Sequence, residues 1–548
     1  MSQVPAPTAA DLTGARRLTR LALRRDRSTF VAWWAGLGLF VAATTAMFVQ
    51  SLAVHEELVV QTRMVATNAG MRMLGLSSGP SIGGYLLHRE YLTLAVLAAL
   101  MSTFAVIRHT RQNEELGRAE MLASTVVGRY AGLAAATVVA TAANLVLALV
   151  IAAAIAVNGQ PVEGSLLAGA SVAEVGLVWV GVAAVTCQLS STARGAAGIA
   201  AGVLGVAFAL SGIGNMLGTV DRAGLRVSSA WPVWLSPIGW GQQTRPFGGI
   251  NWWPLALAGV AFGLLLATAV ALAARRDVGR GLWPERRGHA SATRGLLSPV
   301  GLVWRLQRGA FVGWAVALTM FGLIFGSLTQ QIQNVEGSAG DWWTEAGGTD
   351  RIVDAYRVSI IQMAGMFVAI YLVQVLLRMR VDETGGTLEP VLAAGVTRTR
   401  WVWSHVANAL AGGVVLVVLF AVSMGLAAGQ VLGGTTTQVR ELVWAAIAQL
   451  PGILVVGAAV VAVVCLVPRW AVPACWALLL LALLVGPMFG PGLDLPSWVQ
   501  DLSPFTHSPK APAATVTAAP VLALLVVSIG LGTAALLALR RRDLALPA

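Results

Sequence analysis

The sequence predicts an all-α, polytopic membrane protein. About twelve transmembrane helices form two parallel six-helix repeats, with both termini cytoplasmic. Three observations predict it: long uncharged apolar runs, a one-sided distribution of arginines, and a charged motif that occurs twice. Only 11% of the 548 residues are charged, 57% are hydrophobic, and the mean hydropathy is +0.74. A soluble domain carries roughly a quarter of its residues as charged ones. The stretch "FVAWWAGLGLFVAATTAMFVQS" (Phe30–Ser51) holds no charge over 22 residues, and about 20 such residues cross a bilayer as a helix.

The spans follow in order. The first six lie near Phe30–Ser51, Tyr91–Ile107, Tyr130–Val157, Leu166–Leu189, Ala196–Leu217 and Trp253–Ala274. The last six lie near Phe311–Leu328, Ser359–Leu377, Trp403–Ala428, Leu442–Val467, Ala471–Phe489 and Val516–Leu539. A basic stretch precedes the first run, as in a signal peptide, but the run is long enough to span fully and the same unit recurs mid-chain. It is read as a permanent span. Pro451 in the tenth implies a kink or break.

Orientation comes from the cations. With the N-terminus inside, cytoplasmic segments hold 27 of the 37 Lys/Arg residues, while the outer loops and outer span ends hold 14 of the 25 acids. That is the positive-inside pattern. It also accounts for the net charge of +12 without nucleic acid. Cys187, Cys465 and Cys475 show no metal-ligand spacing or disulfide framework and read as small buried hydrophobes.

The chain repeats itself. "RQNEELGRAEML" (Arg111–Leu122) overlays "RVDETGGTLEPV" (Arg380–Val391) without a gap, pairing Arg111/Arg380, Glu114/Glu383, Gly117/Gly386 and Glu120/Glu389. Arg129/Arg398 follow in register. "RRDRSTFVAWW" (Arg24–Trp34) matches "RLQRGAFVGWA" (Arg305–Ala315), and "LSPIGW" (Leu235–Trp240) matches "LSPFTH" (Leu502–His507). Glu174 and Glu441 pair at nearly the same offset. The expected division is residues 1–284, with a charged segment near 111–129, and residues 285–548, with one near 380–400. An Arg-rich cytoplasmic linker, Arg275–Arg294, joins them. An even span number keeps the halves parallel.

Each charged segment, or hook, lies between the second and third spans of its half. Glu383, Gly386 and Glu389 are three apart and would cluster on one side of a short surface helix. Pro390 favours a helix start or break. A random loop would not repeat its Glu-Gly-Glu spacing 269 residues later.

The pattern Glu-x-x-Gly-x-x-Glu, then a Leu/Ala-rich stretch and an Arg, resembles the intracellular coupling segment of type-2 ABC exporter permeases. "GTLEPVLAAGVTR" (Gly386–Arg398) matches closely; "GRAEMLASTVVGR" (Gly117–Arg129) lacks the Thr-Leu before its Glu. Ser236–Pro237 and Ser503–Pro504, and the amphipathic entry stretches Asp11–Arg27 and Ala292–Arg308, are also similar to family elements, the latter to connecting helices on the inner surface. The fused twelve-span layout resembles bacterial permeases that export polyketide antibiotics of the tetronasin type.

The resemblance implies a bacterial plasma-membrane permease that moves hydrophobic or amphiphilic small molecules, such as antibiotics, out of the cell. Two copies of a separate ABC ATPase subunit would dock on the hooks through Glu114, Gly117, Glu120, Arg129, Glu383, Gly386, Glu389 and Arg398. This chain would bind no cofactor, with ATP and Mg held by the partner. The residues agree. A P-loop needs a lysine after a glycine-rich turn, and the one lysine, Lys510, sits in "HSPKAP". "LSGIG" (Leu210–Gly214) looks like an ABC signature but lies inside an apolar run without a P-loop, so it reads as close backbone packing.

An ion-coupled secondary drug transporter is the alternative. It would carry ionisable groups inside the membrane, and the sequence reads Glu174 and Glu441 as outer span ends. His88 with Glu90 reads as a span-edge feature. In the resembling family the path lies between the halves, lined by the second and fifth spans of each. Here that implies Phe104, Phe208, Met216, Gln362, Phe367, Tyr371, Gln374 and Trp476. The outer segments before spans six and twelve, rich in Trp, Pro and Gly, read equally as gates or as interface anchors.

Overall fold

The computed structural model describes residues 9–283, 291–293, 295–330, 332, 351–487 and 495–541. The chain forms two compact units, Met1–Arg287 and Gly288–Ala548. The expected boundary at 284/285, part of the Arg275–Arg294 linker and the expected end of span eleven at Phe489 lie outside the described residues.

In the first unit, helix α1 (Ala15–Ser51) leads to α2 (His55–Thr67) and α3 (Ala69–Leu74), then to α4 (Ile82–His109). The hook is α5 (Arg111–Glu115) and α6 (Arg118–Ala123). Helices α7 (Ala131–Ala156), α8 (Val162–Leu189) and α9 (Ala193–Met216) follow. A two-stranded hairpin, β1 (Thr219–Val220) and β2 (Val227–Ser228), leads to α10 (Pro237–Gln243) and α11 (Pro254–Ala273). Helix α8 is the most enclosed, with α4, α7, α9 and α11 packed around it. Small residues let helices approach in lipid, and buried amides join them: Asn144 of α7 donates from Nδ2 to Ser102 Oγ of α4 at 2.8 Å.

The second unit runs α12 (Pro299–Ser327), α13 (Ile352–Leu376), the second hook α14 (Arg378–Thr384) and α15 (Leu388–Ala393), then α16 (Arg398–Leu432). Helices α17 (Thr435–Ile447), α18 (Leu450–Leu466), α19 (Ala471–Leu484), α20 (Ser497–Gln500) and α21 (Ala518–Arg541) complete it. Here α13 is the most enclosed helix. The tenth span breaks at Ala448–Gln449, just ahead of Pro451, whose ring cannot sit in a continuing helix interior.

Eleven described helices are long and apolar enough to cross a membrane. The remaining expected span, the eleventh, is the shorter apolar helix Pro468–Leu484. The entry stretches are not separate surface helices. The first is continuous with span one in α1, 37 residues and about 55 Å long. Nothing between Arg27 and Phe30 breaks a helix, and one buried stripe (Ala22, Asp26, Phe30, Leu37, Val41) runs through both parts. Helix α12 likewise continues from Pro299, with Ser298 capping the Gly301 N–H.

Candidate functional site

Both hooks are pairs of short helices rather than one. Their junctions are Gly117 (φ +68) and Gly386 (φ +72), left-handed positions that L side chains disfavour. Glu114 and Glu120 therefore sit on different helices, as do Glu383 and Glu389. A Cβ on Gly117 would meet nothing within 4 Å, so the glycine is required by the turn and not by close helix approach. Pro390 is the third residue of α15, inside the first turn where the missing N–H is harmless.

The inner helix of the first hook is braced from three sides. Arg111 is fully buried and donates from Nε to Cys187 O of α8 at 3.0 Å, with Nη2 on the same oxygen. Its Nη1 lies 2.8 Å from Glu114 Oε2. Arg276, beyond the end of α11, grips Glu114 bidentately, at 2.7 Å to Oε1 and 2.8 Å to Oε2. The Gly279 N–H also donates to Oε2 at 3.1 Å. Such bidentate, charge-assisted pairs are the strong ones. Glu115 Oε1 accepts the Ala193 N–H at the start of α9 at 2.8 Å, where a carboxylate also suits the helix dipole. Arg129 caps the same C-terminal end of α11, donating from Nη2 to Ala273 O and Ala274 O at 3.0 Å.

The outer helix is different. Glu120 is exposed, beside exposed Leu116, Met121 and Val126, and makes no ion pair or side-chain hydrogen bond among the described residues.

The second hook repeats the division with other partners. Arg380 pairs with the buried Glu383 at 3.1 Å, as Arg111 does with Glu114. Arg378 Nε donates to Asp382 Oδ1 at 2.8 Å, and Thr387 Oγ1 to the same oxygen at 3.2 Å. Glu389 is exposed. Arg398 opens α16, whose first turn is capped by Thr397 Oγ1 accepting the Arg400 N–H.

One bracing residue escaped the sequence reading. Asp26 is buried on α1 and binds Arg108 at 2.9 Å and His109 at 2.7 Å, tying the entry helix to the end of α4. Its signal was an acid at helical spacing between Ala22 and Phe30. The register Arg24/Arg305 puts Gln307 in its place; Gln307 donates to Val375 O at 3.0 Å.

The path candidates scatter. Phe104 and Trp476 are exposed, and Phe208 and Met216 half-buried. Phe367 packs edge-on against Phe321, ring centroids 5.2 Å apart. Tyr371 is buried with its hydroxyl against Gly412. Gln374 Oε1 accepts Trp314 Nε1–H at 2.8 Å. Gln362 is buried, and its Nε2 has no partner among the described residues.

Glu174 is a correction. It is the thirteenth of 28 residues in α8, not at a span end, and it is buried. Helix α8 begins at Val162, four residues earlier than hydropathy suggests, so Glu174 lies about 18 Å along it. Neither carboxylate oxygen has a side-chain hydrogen-bond partner among the described residues, and the Gly241 backbone N–H lies beside the carboxyl. Tyr91 and Gly241 lie against it, and Gly241 has no room for a Cβ beneath the Tyr91 hydroxyl. Glu441 differs: it is exposed on α17. His88 is buried, six residues into α4, which starts at Ile82.

The Ser-Pro elements make one contact twice. Ser236 Oγ donates to Ala207 O of α9 at 2.6 Å, and Ser503 Oγ to Ala482 O of α19 at 2.7 Å. In the first unit a buried amide network continues from there. Gln242 Oε1 accepts from Ser211 Oγ at 2.9 Å and Asn215 Nδ2 at 2.7 Å.

Residues 16–274 and 296–540 match the family described as "Multidrug efflux system permease Rv1217c, C-terminal domain". Over 541 residues the chain is 36% identical to the multidrug efflux system permease protein Rv1217c of Mycobacterium tuberculosis, covering 97% of this chain and 95% of that protein.

Proposed function

Because the chain belongs to the family of multidrug efflux system permeases, we propose that it is the membrane-spanning subunit of an ATP-driven exporter, with hydrolysis on a separate polypeptide present in two copies. It is a multi-pass plasma-membrane transport subunit rather than an enzyme. The observation that carries the ATP-driven reading is the division of each hook into a braced inner helix and an exposed outer one. A force on α6 would pass through Gly117 to α5, and from there to α8 by Cys187, to α9 by Ala193 and to α11 by Arg276. Three spans would move as one. The outer helix offers an acid and apolar side chains that nothing in its own unit uses.

Glu114, Glu383, Arg129 and Arg398 serve as braces in this reading, Glu120 and Glu389 as contacts, and Gly117 and Gly386 as pivots. The chain itself would hold no cofactor, with ATP and Mg on the partner. The fused layout supports cargo of the polyketide-antibiotic kind. Purified alone, the chain should not hydrolyse ATP, and it should co-purify with two copies of a cognate ATPase subunit. Robust hydrolysis by the isolated chain would overturn this.

One observation favours ion coupling as a second reading. Glu174 is a buried carboxyl in mid-helix without a side-chain partner among the described residues, and such groups mark proton or ion pathways. In inside-out vesicles supplied with ATP, transport that stops when the proton gradient is collapsed, and is lost in Glu174→Gln, would favour that reading.

A further inference from the structure

We propose that the pocket between the entry helix and the first hook is a binding site for an anionic phospholipid of the inner leaflet. This goes beyond the transport reading and does not depend on it.

The pocket has a volume of about 260 Å³. One wall is apolar: Leu18 and Leu21 of α1, Leu122 of α6 and Leu133 of α7. Arg25 and Arg129 also line it. A third arginine, Arg276, is already matched by Glu114. Neither Arg25 nor Arg129 has a carboxylate partner among the described residues. Arg25 only reaches Asn113 Oδ1, at 3.4 Å, and Arg129 leans on backbone carbonyls. The pocket therefore carries two cations without a counter-charge, above an apolar groove. That combination fits a phosphate with an acyl chain attached.

The depth is right for a headgroup. The pocket is bounded by α1 just before its uncharged run, where six exposed arginines lie between Arg16 and Arg27. Basic residues next to a span are drawn to anionic lipid on the cytoplasmic side. An anionic headgroup adds a phosphate and no cation. A choline headgroup would bring its own cation against Arg25.

The repeat supplies an internal control. In the register of Arg24/Arg305, Arg25 corresponds to Leu306, and Asn113 corresponds to Asp382 in the hook alignment. The second unit has a carboxylate, already paired with Arg378, where the first has a neutral amide, and a leucine where the first has Arg25. The first unit is built for a phosphate there and the second is not.

The test uses the purified full-length chain, delipidated in detergent, with native mass spectrometry reading bound lipid as phosphatidylglycerol or phosphatidylcholine is added. Phosphatidylglycerol should bind at least about tenfold more tightly, the effect expected of a charge-assisted contact to phosphate. Arg25→Leu should remove most of that preference and Arg25→Lys restore it, with the melting temperature unchanged because Arg25 is exposed. Leu21→Ser should weaken phosphatidylglycerol binding through the acyl wall. Equal retention of the two lipids by the wild-type chain would overturn the proposal, whatever the variants do. So would an unchanged preference in Arg25→Leu, or inorganic phosphate displacing the lipid at equal concentration.

Discussion

Two glutamates three residues either side of one glycine have different surroundings. Glu114 receives two arginines and a backbone N–H, while Glu120 faces solvent. Their Gln variants should therefore behave differently. Glu114→Gln leaves Arg111 and Arg276 short of a counter-charge in a nearly buried site, a loss of about 3 kcal/mol in stability, read as a lower melting temperature. Glu120→Gln should stay within about 0.5 kcal/mol of wild type and yet reduce stimulation of the ATPase. The recurrence of the hook charges was legible in the sequence, because they fall in register; that Glu114 is held by Arg111 and Arg276 was not. Arg276 reaches Glu114 from beyond α11, and spacing carries no information about that. Glu174 was misplaced because hydropathy dates a helix from its first apolar residues. Helix α8 begins at Val162, straight after Pro161 and ahead of the apolar run.

The spans themselves were legible, because uncharged runs of membrane length leave few alternatives and Pro451 marks its own break. The hook was half legible. Its glycine was visible, but a three-residue spacing looks the same on one helix or across a turn between two. The left-handed φ of Gly117 and Gly386 decides it. Gly117→Ala should cost about 1 kcal/mol from the Cβ in a left-handed turn, and Gly117→Asn less, since Asn tolerates that region. Both can be read by denaturation of the purified chain. If the turn is the pivot, Ala should lower ATPase coupling more than stability, and Asn should keep most of it. The outer helices α2 and α3 and the β hairpin were not foreseen. They are short, mixed in polarity, and held by contacts such as Arg72 Nη1 to Gly218 O at 2.6 Å.

At the scale of the molecule, the duplication is a plan with two executions. The same Arg-to-Glu pair and the same Ser-to-carbonyl contact occur in both units. Among the described residues, the buried carboxyl of α8 and the proposed lipid pocket are found in the first alone. The topology follows from the cations: reporters fused after Gln330 should be outside and those after Arg280 inside, and an outside signal at the C-terminus would break the arrangement. The central claim is that the exposed outer hook helices receive the force of ATP hydrolysis. Substrate-stimulated ATP hydrolysis by the reconstituted complex with its ATPase subunit tests it most directly, comparing wild type with Glu120→Gln and Glu389→Gln combined. The expected result is an assembled, membrane-inserted complex whose stimulation falls by about tenfold. Full stimulation, persisting even when Glu114 and Glu383 are also changed to Gln, would contradict it.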